Sequence, residues 1–267
     1  MKSYYELKHL LFKREQWKNI EGIIGKIDKL YMLAEQGCTS EVHKIITRKG
    51  CYLLKSSFEE KYTEWLKAEA QVLKKLNSQR QIAVPKYYGF FEEKLSSHLL
   101  MSFEDGIILT SALEQAKSQS EKKSLIRSFG HFLKQLHAIS EMDLLNQNVD
   151  WLESQLIKAE FYVKHGQTEG SSQLLENLKA NKPLPVEQTV IHGDCTTDNV
   201  LVINGEACLF IDVAGMTIGD PRYDESLAIR SFVNDEEYKK AFYEGYKRYK
   251  VSKKEFHYFD EGLYEFF

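Results

Sequence analysis

The feature that most restricts the fold is an ordered set of polar residues between short apolar runs, from Ile191 to Ala228. The set consists of His192-Gly193-Asp194, Asn199, Ile211-Asp212, Gly219-Asp220-Pro221 and Asp224. Short buried strands are predicted at Val190–Gly193, Val200–Val202 and Leu209–Asp212. Any one of these polar residues would be ordinary in a turn. Their fixed order beside buried strands indicates a functional site instead.

The composition excludes several classes of protein. The 267 residues carry a formal net charge of -3, which gives no general attraction to nucleic acid. No apolar run approaches the roughly 18 residues that cross a bilayer. The charged N-terminus lacks the apolar centre of a signal peptide, so we expect a cytoplasmic protein without a membrane partner. The four cysteines form no zinc pattern, and free thiols are expected rather than two disulfides.

The first part of the chain predicts a small antiparallel sheet with helices. Residues 1–20 and Lys61–Leu76 have helical apolar spacing. A hairpin turn is predicted at Lys49-Gly50. The predicted strands are 26–34, Val42–Thr47, Cys51–Lys55, Lys86–Phe91 and His98–Phe103.

The chain changes character near Glu104-Asp105-Gly106, and helices dominate beyond it. Apolar residues at three-and-four spacing predict a helix over Ser120–Ile139. Further helices are predicted at Val149–His165, at Ser171–Ala180 and from Tyr223 to the C-terminus. The helices between about 140 and 183 are expected to line a binding pocket, because connecting insertions commonly carry specificity.

The polar set resembles the catalytic loop and metal-binding aspartate of protein kinases, with Gly193 in place of their middle arginine. With its glycine, and with 18 residues from Asp194 to Asp212, it is similar to the aminoglycoside phosphotransferase and choline kinase superfamily. The resemblance covers residues 26–267. It implies an α+β, protein-kinase-like, two-lobed fold: a small antiparallel-sheet N-terminal lobe at 1–103 for nucleotide, and a mostly helical C-terminal lobe at 104–267.

The resemblance implies a role for each polar residue. Asp194 would be the catalytic base that accepts the proton of an acceptor hydroxyl. Asn199 and Asp212 would hold Mg²⁺, which prefers hard oxygen ligands. The nucleotide would be ATP, with GTP as the alternative, and the acceptor would be a small hydroxyl-bearing molecule. His192, Asp220 and Asp224 are expected to brace the loop or to cap a helix.

The same resemblance implies a lysine and a glutamate in the first lobe. Lys55 ends an apolar strand, where a buried ammonium is costly without an anionic partner. Glu69, 14 residues later, is the preferred partner, and Glu64 is the alternative.

Two further segments would contact the nucleotide. The loop Gln36–Ser40 has one glycine and no G-x-G-x-x-G, and Thr39 and Ser40 would face the phosphates. The segment from His98 to Gly106 would link the lobes, with the Ser102 carbonyl and the Glu104 amide holding the adenine.

The C-terminus resembles that of some aminoglycoside 3'-phosphotransferases and suggests Glu265 and Phe267 as acceptor residues, with Arg230 nearby. Three positions depart from that subgroup: Thr197 and Asn234 replace acidic residues, and Gly215 replaces an arginine. Fewer carboxylates weaken the expectation of a cationic aminoglycoside. Choline, another amino alcohol, a sugar or a macrolide remain alternative acceptors, and a non-catalytic nucleotide-binding module is the alternative function.

Overall fold

The computed structural model describes residues 14–34, 36–37, 39–77, 81–94, 96–139 and 150–267. It divides into two compact units, Met1–Asp105 and Gly106–Phe267. The predicted N-terminal helix lies partly outside the described residues. Its described part, α1, runs over Arg14–Ile24, which is four residues beyond the predicted end. No helix in the described ranges is long and apolar enough to span a bilayer.

The first unit contains a five-stranded antiparallel sheet with the strand order β1-β2-β3-β5-β4. Helix α2 connects β3 to β4 and packs against β5. The elements are β1 (Ile27–Met32), β2 (Glu41–Thr47), β3 (Gly50–Ser57), α2 (Glu60–Leu76), β4 (Tyr87–Glu93) and β5 (Ser96–Ser102).

The sheet of the first unit is stabilised by burial of its apolar residues. From His43 to Thr47, every second residue of β2 is buried, as the period of a half-buried strand requires, and Ile45 is the apolar residue among them. One core cluster joins Trp17 and Ile20 of α1 to Ile45 and Leu54 of the sheet. Helix α2 buries one apolar stripe that also includes Glu69, a charged residue whose burial demands a partner.

The second unit is mostly helical and carries two small sheets, one of β7 and β10 and one of β6, β8 and β9. Its strands are β6 (Ile107–Ile108), β7 (Thr189–Ile191), β8 (Val200–Ile203), β9 (Glu206–Phe210) and β10 (Thr217–Gly219). Its helices are α3 (Leu109–Gln115), α4 (Gln119–His137), α5 (Trp151–His165), α6 (Ser172–Ala180), α7 (Pro221–Ile229), α8 (Glu236–Tyr246) and α9 (Lys253–Phe259). A 3₁₀ turn, Leu263–Phe266, closes the chain.

Helix ends in this unit follow from local sequence. Ser118, Asp150 and Ser171 cap α4, α5 and α6 through their side chains. Helices α4 and α8 pack closely because Gly245 has no Cβ, which would lie 2.0 Å from the Arg127 carbonyl oxygen. A second core cluster surrounds Trp151 with residues of α7, α9 and the C-terminal turn.

The predicted elements are present, with informative differences at their ends. The strand predicted at Val190–Gly193 stops at Ile191, and the one predicted at Leu209–Asp212 stops at Phe210. The residues released from these strands, Gly193 and Asp212, have positive φ values of 84° and 56°, which a strand cannot accommodate. Helix α3 was not predicted. Of the four cysteines, the three within the described residues are free thiols, as expected.

Candidate active site

The loop after β7 owes its shape to a glycine. Gly193 has φ +84°, and a Cβ there would lie 2.5 Å from the carbonyl oxygen of Gly215. Any other residue at this position would be strained, both by the dihedral angle and by the contact. Gly193 therefore lets the loop turn sharply between His192 and Asp194 while touching the segment that follows Asp212.

A buried carboxylate holds the start of this loop. Asp224 of α7 accepts hydrogen bonds from the backbone amides of His192 at 2.6 Å and Gly193 at 2.9 Å. Its Oδ2 also lies 3.2 Å from Nε2 of His137. Asp220 caps α7 and forms an ion pair with Arg222. The predicted scaffolding roles of Asp220 and Asp224 are confirmed.

His192 joins the two strand ends that carry the aspartates. Its Nε2 donates to the carbonyl oxygen of Ile211 at 2.8 Å, and its Nδ1 accepts from the amide of Asp194 at 3.2 Å. The two contacts fix the orientation of the ring, because each ring nitrogen has a partner. His192 thus ties the residue before Asp212 to Asp194, and the predicted bracing role is confirmed.

Both carboxylate oxygens of Asp194 accept hydrogen bonds from neutral donors. Nδ2 of Asn199 donates to Oδ2 at 2.8 Å and to the backbone carbonyl of Asp194 at 2.8 Å. The hydroxyl of Tyr264 donates to Oδ1 at 3.0 Å. Burial is the main cause that raises the pKa of Asp194, and the charge of Asp212 adds to it, whereas His192 and both hydrogen bonds lower it. The two segments that carry Asp194 and Asp212 are in contact, through His192 and through the close approach of Gly193 and Gly215.

The oxygens of Asp212 and Asn199 suit a divalent cation. Asp212 has left-handed backbone angles, φ 56° and ψ 49°, and opens the 3₁₀ turn Val213–Gly215. Because Asn199 uses Nδ2 to hold Asp194, its amide oxygen is the side-chain atom that can ligate an ion. No group of three or more His, Cys, Asp or Glu residues in the described ranges could hold a metal alone. Magnesium commonly completes such a set with substrate phosphates and water.

In the first unit, Lys55 and Glu69 form a buried ion pair. Nζ of Lys55 lies 2.9 Å from Oε2 of Glu69, and the two side chains are 9% and 4% exposed. The lysine projects from β3 and the glutamate from α2, so sheet and helix are joined at this point. Glu69 is the partner that the sequence favoured over Glu64. Any role of the pair in binding nucleotide stays a prediction.

The other predicted nucleotide residues lie in half-buried positions of the same unit. The carbonyl of Thr39 accepts from the Ser57 hydroxyl at 3.1 Å, and Ser40 precedes β2. The Ser102 hydroxyl donates to Glu104 at 2.6 Å and accepts from the amide of Lys86 at 2.8 Å. These contacts fix the end of β5. Cys38, within the predicted phosphate loop, lies outside the described residues.

The predicted acceptor residues belong to the end of the second unit. Nε of Arg230 lies 3.2 Å from Oδ1 of Asp260. The carbonyl of Glu265 accepts from the Thr168 hydroxyl at 3.0 Å, and the Phe267 ring packs edge-on against Tyr162 at 5.9 Å between centroids. The first ten residues of the predicted acceptor helices, 140–149, lie outside the described part.

Two contacts of the site were not predicted from the sequence: that of Tyr264 with Asp194 and that of Thr110 with Thr197. The hydroxyl of Thr110 donates to the hydroxyl of Thr197 at 2.7 Å, which links α3 to the catalytic loop. Tyr264 is separated from Asp194 by 70 residues. No local pattern marks either contact, and only its place in the C-terminal segment could have drawn attention to Tyr264.

Comparison with known families decides the class of the protein. A model of the phosphotransferase enzyme family matches residues 33–258. The chain belongs to this family. The resemblance expected from the catalytic loop is therefore confirmed, and the chain is a phosphotransferase with the kinase-like α+β fold of its family.

Two curated members of the family are distant relatives. An aminoglycoside 3'-phosphotransferase of Staphylococcus aureus is 23% identical over 256 residues, which cover 90% of this chain and 89% of the relative. Another, from Enterococcus faecalis, is 24% identical over 180 residues, which cover 61% of this chain and 66% of the relative.

Solved structures of the family have the same fold. An aminoglycoside-3'-phosphotransferase of type VIII superposes with a TM-score of 0.74 at 20% identity, over 95% of this chain and 98% of its own. A spectinomycin phosphotransferase in complex with ADP and spectinomycin gives a TM-score of 0.62 at 15% identity, over 93% and 84%. At these identities the likeness establishes the fold and leaves the substrate open.

Proposed function

We propose that this chain transfers the γ-phosphoryl group of ATP, or of GTP as the alternative, to a hydroxyl group of a small molecule. The observation that carries the proposal is Asp194, a carboxylate held by neutral donors on a loop that contacts the segment of Asp212, in a member of a phosphotransferase family. A carboxylate held by neutral donors has no counter-charge bound to it, and in its ionised form it can accept a proton. A cytoplasmic location belongs to the proposal, because the cytoplasm supplies the nucleotide.

In the proposed reaction, Asp194 orients the acceptor hydroxyl and accepts its proton as the oxygen bonds to the γ-phosphorus. The bond from that phosphorus to the bridging oxygen breaks, and the nucleoside diphosphate leaves. Asn199 and Asp212 would hold Mg²⁺, which neutralises charge on the phosphate oxygens when bound. Lys55, held by Glu69, would contact the phosphates. Thr39 and Ser40 would lie beside them.

We propose further that the adenine pairs with the backbone at Ser102 and Glu104, and that 1–103 form the nucleotide lobe while 104–267 carry the acceptor pocket. Support comes from the ADP bound by the spectinomycin enzyme of the same fold. Arg230, Glu265 and Phe267 would contact the acceptor.

An aminoglycoside is the first acceptor to test, because both curated relatives act as aminoglycoside 3'-phosphotransferases by name. The replaced acidic positions, Thr197 and Asn234, favour a less cationic acceptor. Thr197 is moreover buried and engaged by Thr110. The acceptor panel should therefore include macrolides, choline, homoserine and ribose derivatives beside the aminoglycosides.

The proposal is tested by Asp194→Asn, with ADP release from MgATP measured against this panel. General-base loss lowers turnover by about 10²- to 10⁴-fold, while the affinity for MgATP should remain. Asp198→Asn is a matched control, since Asp198 is an exposed carboxylate in the same loop. Turnover unchanged in Asp194→Asn would refute the assignment, and binding of ATP without ADP release on any acceptor would favour the non-catalytic module.

A further inference from the structure

Tyr264 and Asn199 donate hydrogen bonds to different carboxylate oxygens of Asp194. Asn199 holds Oδ2, and the phenol of Tyr264 holds Oδ1 at 3.0 Å. With only the first contact, the carboxylate could still turn about its terminal torsion, which is broad for aspartate. Two donors on two oxygens fix the plane of the group.

Tyr264 is itself held in place. It lies in the C-terminal 3₁₀ turn between Leu263 and Phe266, which are 0% and 1% exposed. The guanidinium of Arg230 lies 4.7 Å from the centroid of its ring. Arg230 is in turn paired with Asp260. A phenol anchored on both its backbone and its ring is not free to leave Asp194.

The loop preceding α6 secures this turn from the other side. The Thr168 hydroxyl donates to the carbonyl of Glu265 at 3.0 Å. Gly170 packs so close to the Phe266 ring that a Cβ would lie 2.5 Å from it. The position of Tyr264 thus depends on contacts that do not involve Asp194.

The phenol acts on Asp194 as a hydrogen-bond donor. Burial, and then the charge of Asp194, raise the pKa of Tyr264, so the hydroxyl keeps its proton at neutral pH. Each carboxylate oxygen has two lone pairs. Oδ1 can therefore accept from Tyr264 and from an acceptor hydroxyl together, and the tyrosine does not block the reaction.

We propose that Tyr264 is a positioning residue for phosphoryl transfer: it fixes Asp194 in the orientation from which that carboxylate receives the acceptor proton. The inference rests on the proposed function of Asp194. It also assigns Arg230 a part in holding the Tyr264 ring. Misplacing a catalytic group by about 1 Å can cost roughly 100-fold in rate, so the effect of losing the phenol falls on turnover.

The test is Tyr264→Phe in the full chain, which keeps the ring and its contact with Arg230 but removes the hydroxyl. ADP release from MgATP is followed with water as acceptor and, in parallel, with kanamycin, so that a rate is obtained even when the drug is not phosphorylated. We expect kcat to fall about 10- to 100-fold, as for a lost hydrogen bond to a charged group, with KM for MgATP unchanged.

A double-mutant cycle separates positioning from a structural role. Because Tyr264 acts through Asp194, adding Tyr264→Phe to Asp194→Asn should lower the rate no further. Tyr258→Phe is the matched control. Tyr258 lies in the same C-terminal segment as Tyr264, and its hydroxyl donates to the carbonyl of Leu178 in α6. That variant should lose some thermal stability, keep kcat within about two-fold, and add independently to Asp194→Asn.

The outcomes distinguish the two claims. A kcat in Tyr264→Phe equal to or above that of the wild type overturns the positioning role, and so does an additive double mutant. If Asp194→Asn itself retains full turnover, the proposed function fails and the positioning role fails with it.

Discussion

Lys55 in the first unit and Asp194 in the second are buried groups that are held in opposite ways. In the first, the ammonium of Lys55 meets the carboxylate of Glu69 at 2.9 Å, and each neutralises the other. In the second, Asp194 is held by the amide of Asn199 and the phenol of Tyr264, which carry no net charge. Neutral donors stabilise an anion without cancelling it. The first arrangement pairs two opposite charges, and the second leaves the Asp194 carboxylate without a counter-charge bound to it.

Removing one partner of the charged pair should have the largest effect on stability. Glu69→Ala leaves the buried ammonium of Lys55 without this counter-charge, which costs roughly 3–5 kcal/mol of unfolding free energy. Glu64→Ala removes an exposed carboxylate from the same helix and serves as the control. Urea unfolding measures the unfolding free energy of both variants. Equal losses would show that the Lys55–Glu69 ion pair does not account for the loss in Glu69→Ala.

Glu225 of the second unit is a buried carboxyl that differs from Asp194, because its Oε2 has no hydrogen-bond partner among the described residues. Its Oε1 accepts from the Tyr243 hydroxyl at 2.8 Å and from the Val251 amide at 2.7 Å. Burial raises its pKa from 4.5 to about 8. The folded state thus retains a proton that the unfolded state has released between these values, and stability falls as pH rises through this window.

Glu225→Gln removes this dependence because glutamine has no charge at any pH. Relative to the wild type, the variant should gain stability steadily from about pH 4.5 to pH 8, by at most about 5 kcal/mol in total, and no more above it. Thermal melts across this range measure the gain. A difference between the two proteins that does not change with pH would show that Glu225 is ionised when folded.

The carboxylate that holds the catalytic loop should give a smaller change in stability. Asp224→Asn has one acceptor oxygen in place of two, so the His192 or the Gly193 amide loses its partner. An unsatisfied buried amide costs about 1–3 kcal/mol. Turnover should fall more than stability suggests, since the loop carries Asp194. Asp235→Asn, at the exposed N-terminus of α8, is the control. Full turnover in Asp224→Asn would show that the hydrogen bonds from Asp224 are not needed to position the loop that carries Asp194.

An exposed ion pair should contribute least. Lys123 and Glu237 lie 2.7 Å apart with side chains 33% and 69% exposed. Glu237→Gln should lower the unfolding free energy less than any other change proposed here, and less still in high salt. Chemical unfolding at two salt concentrations measures both values. A loss as large as that of Glu69→Ala would contradict the importance of burial in the comparison above.

The sequence predicted what depends on local pattern. Apolar periodicity located the helices and strands, and the order of Lys55 and Glu69 predicted their pairing. The loop-bracing roles of His192 and Asp224 followed from the motif. The contact of Tyr264 with Asp194 spans 70 residues, and no periodicity encodes such a distance. The ends of β7 and β9 were misplaced because apolar pattern cannot show that Gly193 and Asp212 have positive φ.

Because Gly193 and Gly215 touch, the segments that carry Asp194 and Asp212 cannot be redesigned independently. A Cβ at Gly215 would lie 3.2 Å from the Cα of Gly193, so any larger residue displaces its neighbour by a few tenths of an ångström. An engineer who seeks to widen acceptor range by placing arginine at 215 would thereby shift the reactive carboxylate too. A substitution at Gly215 will therefore need compensating substitutions around Gly193 in the same variant.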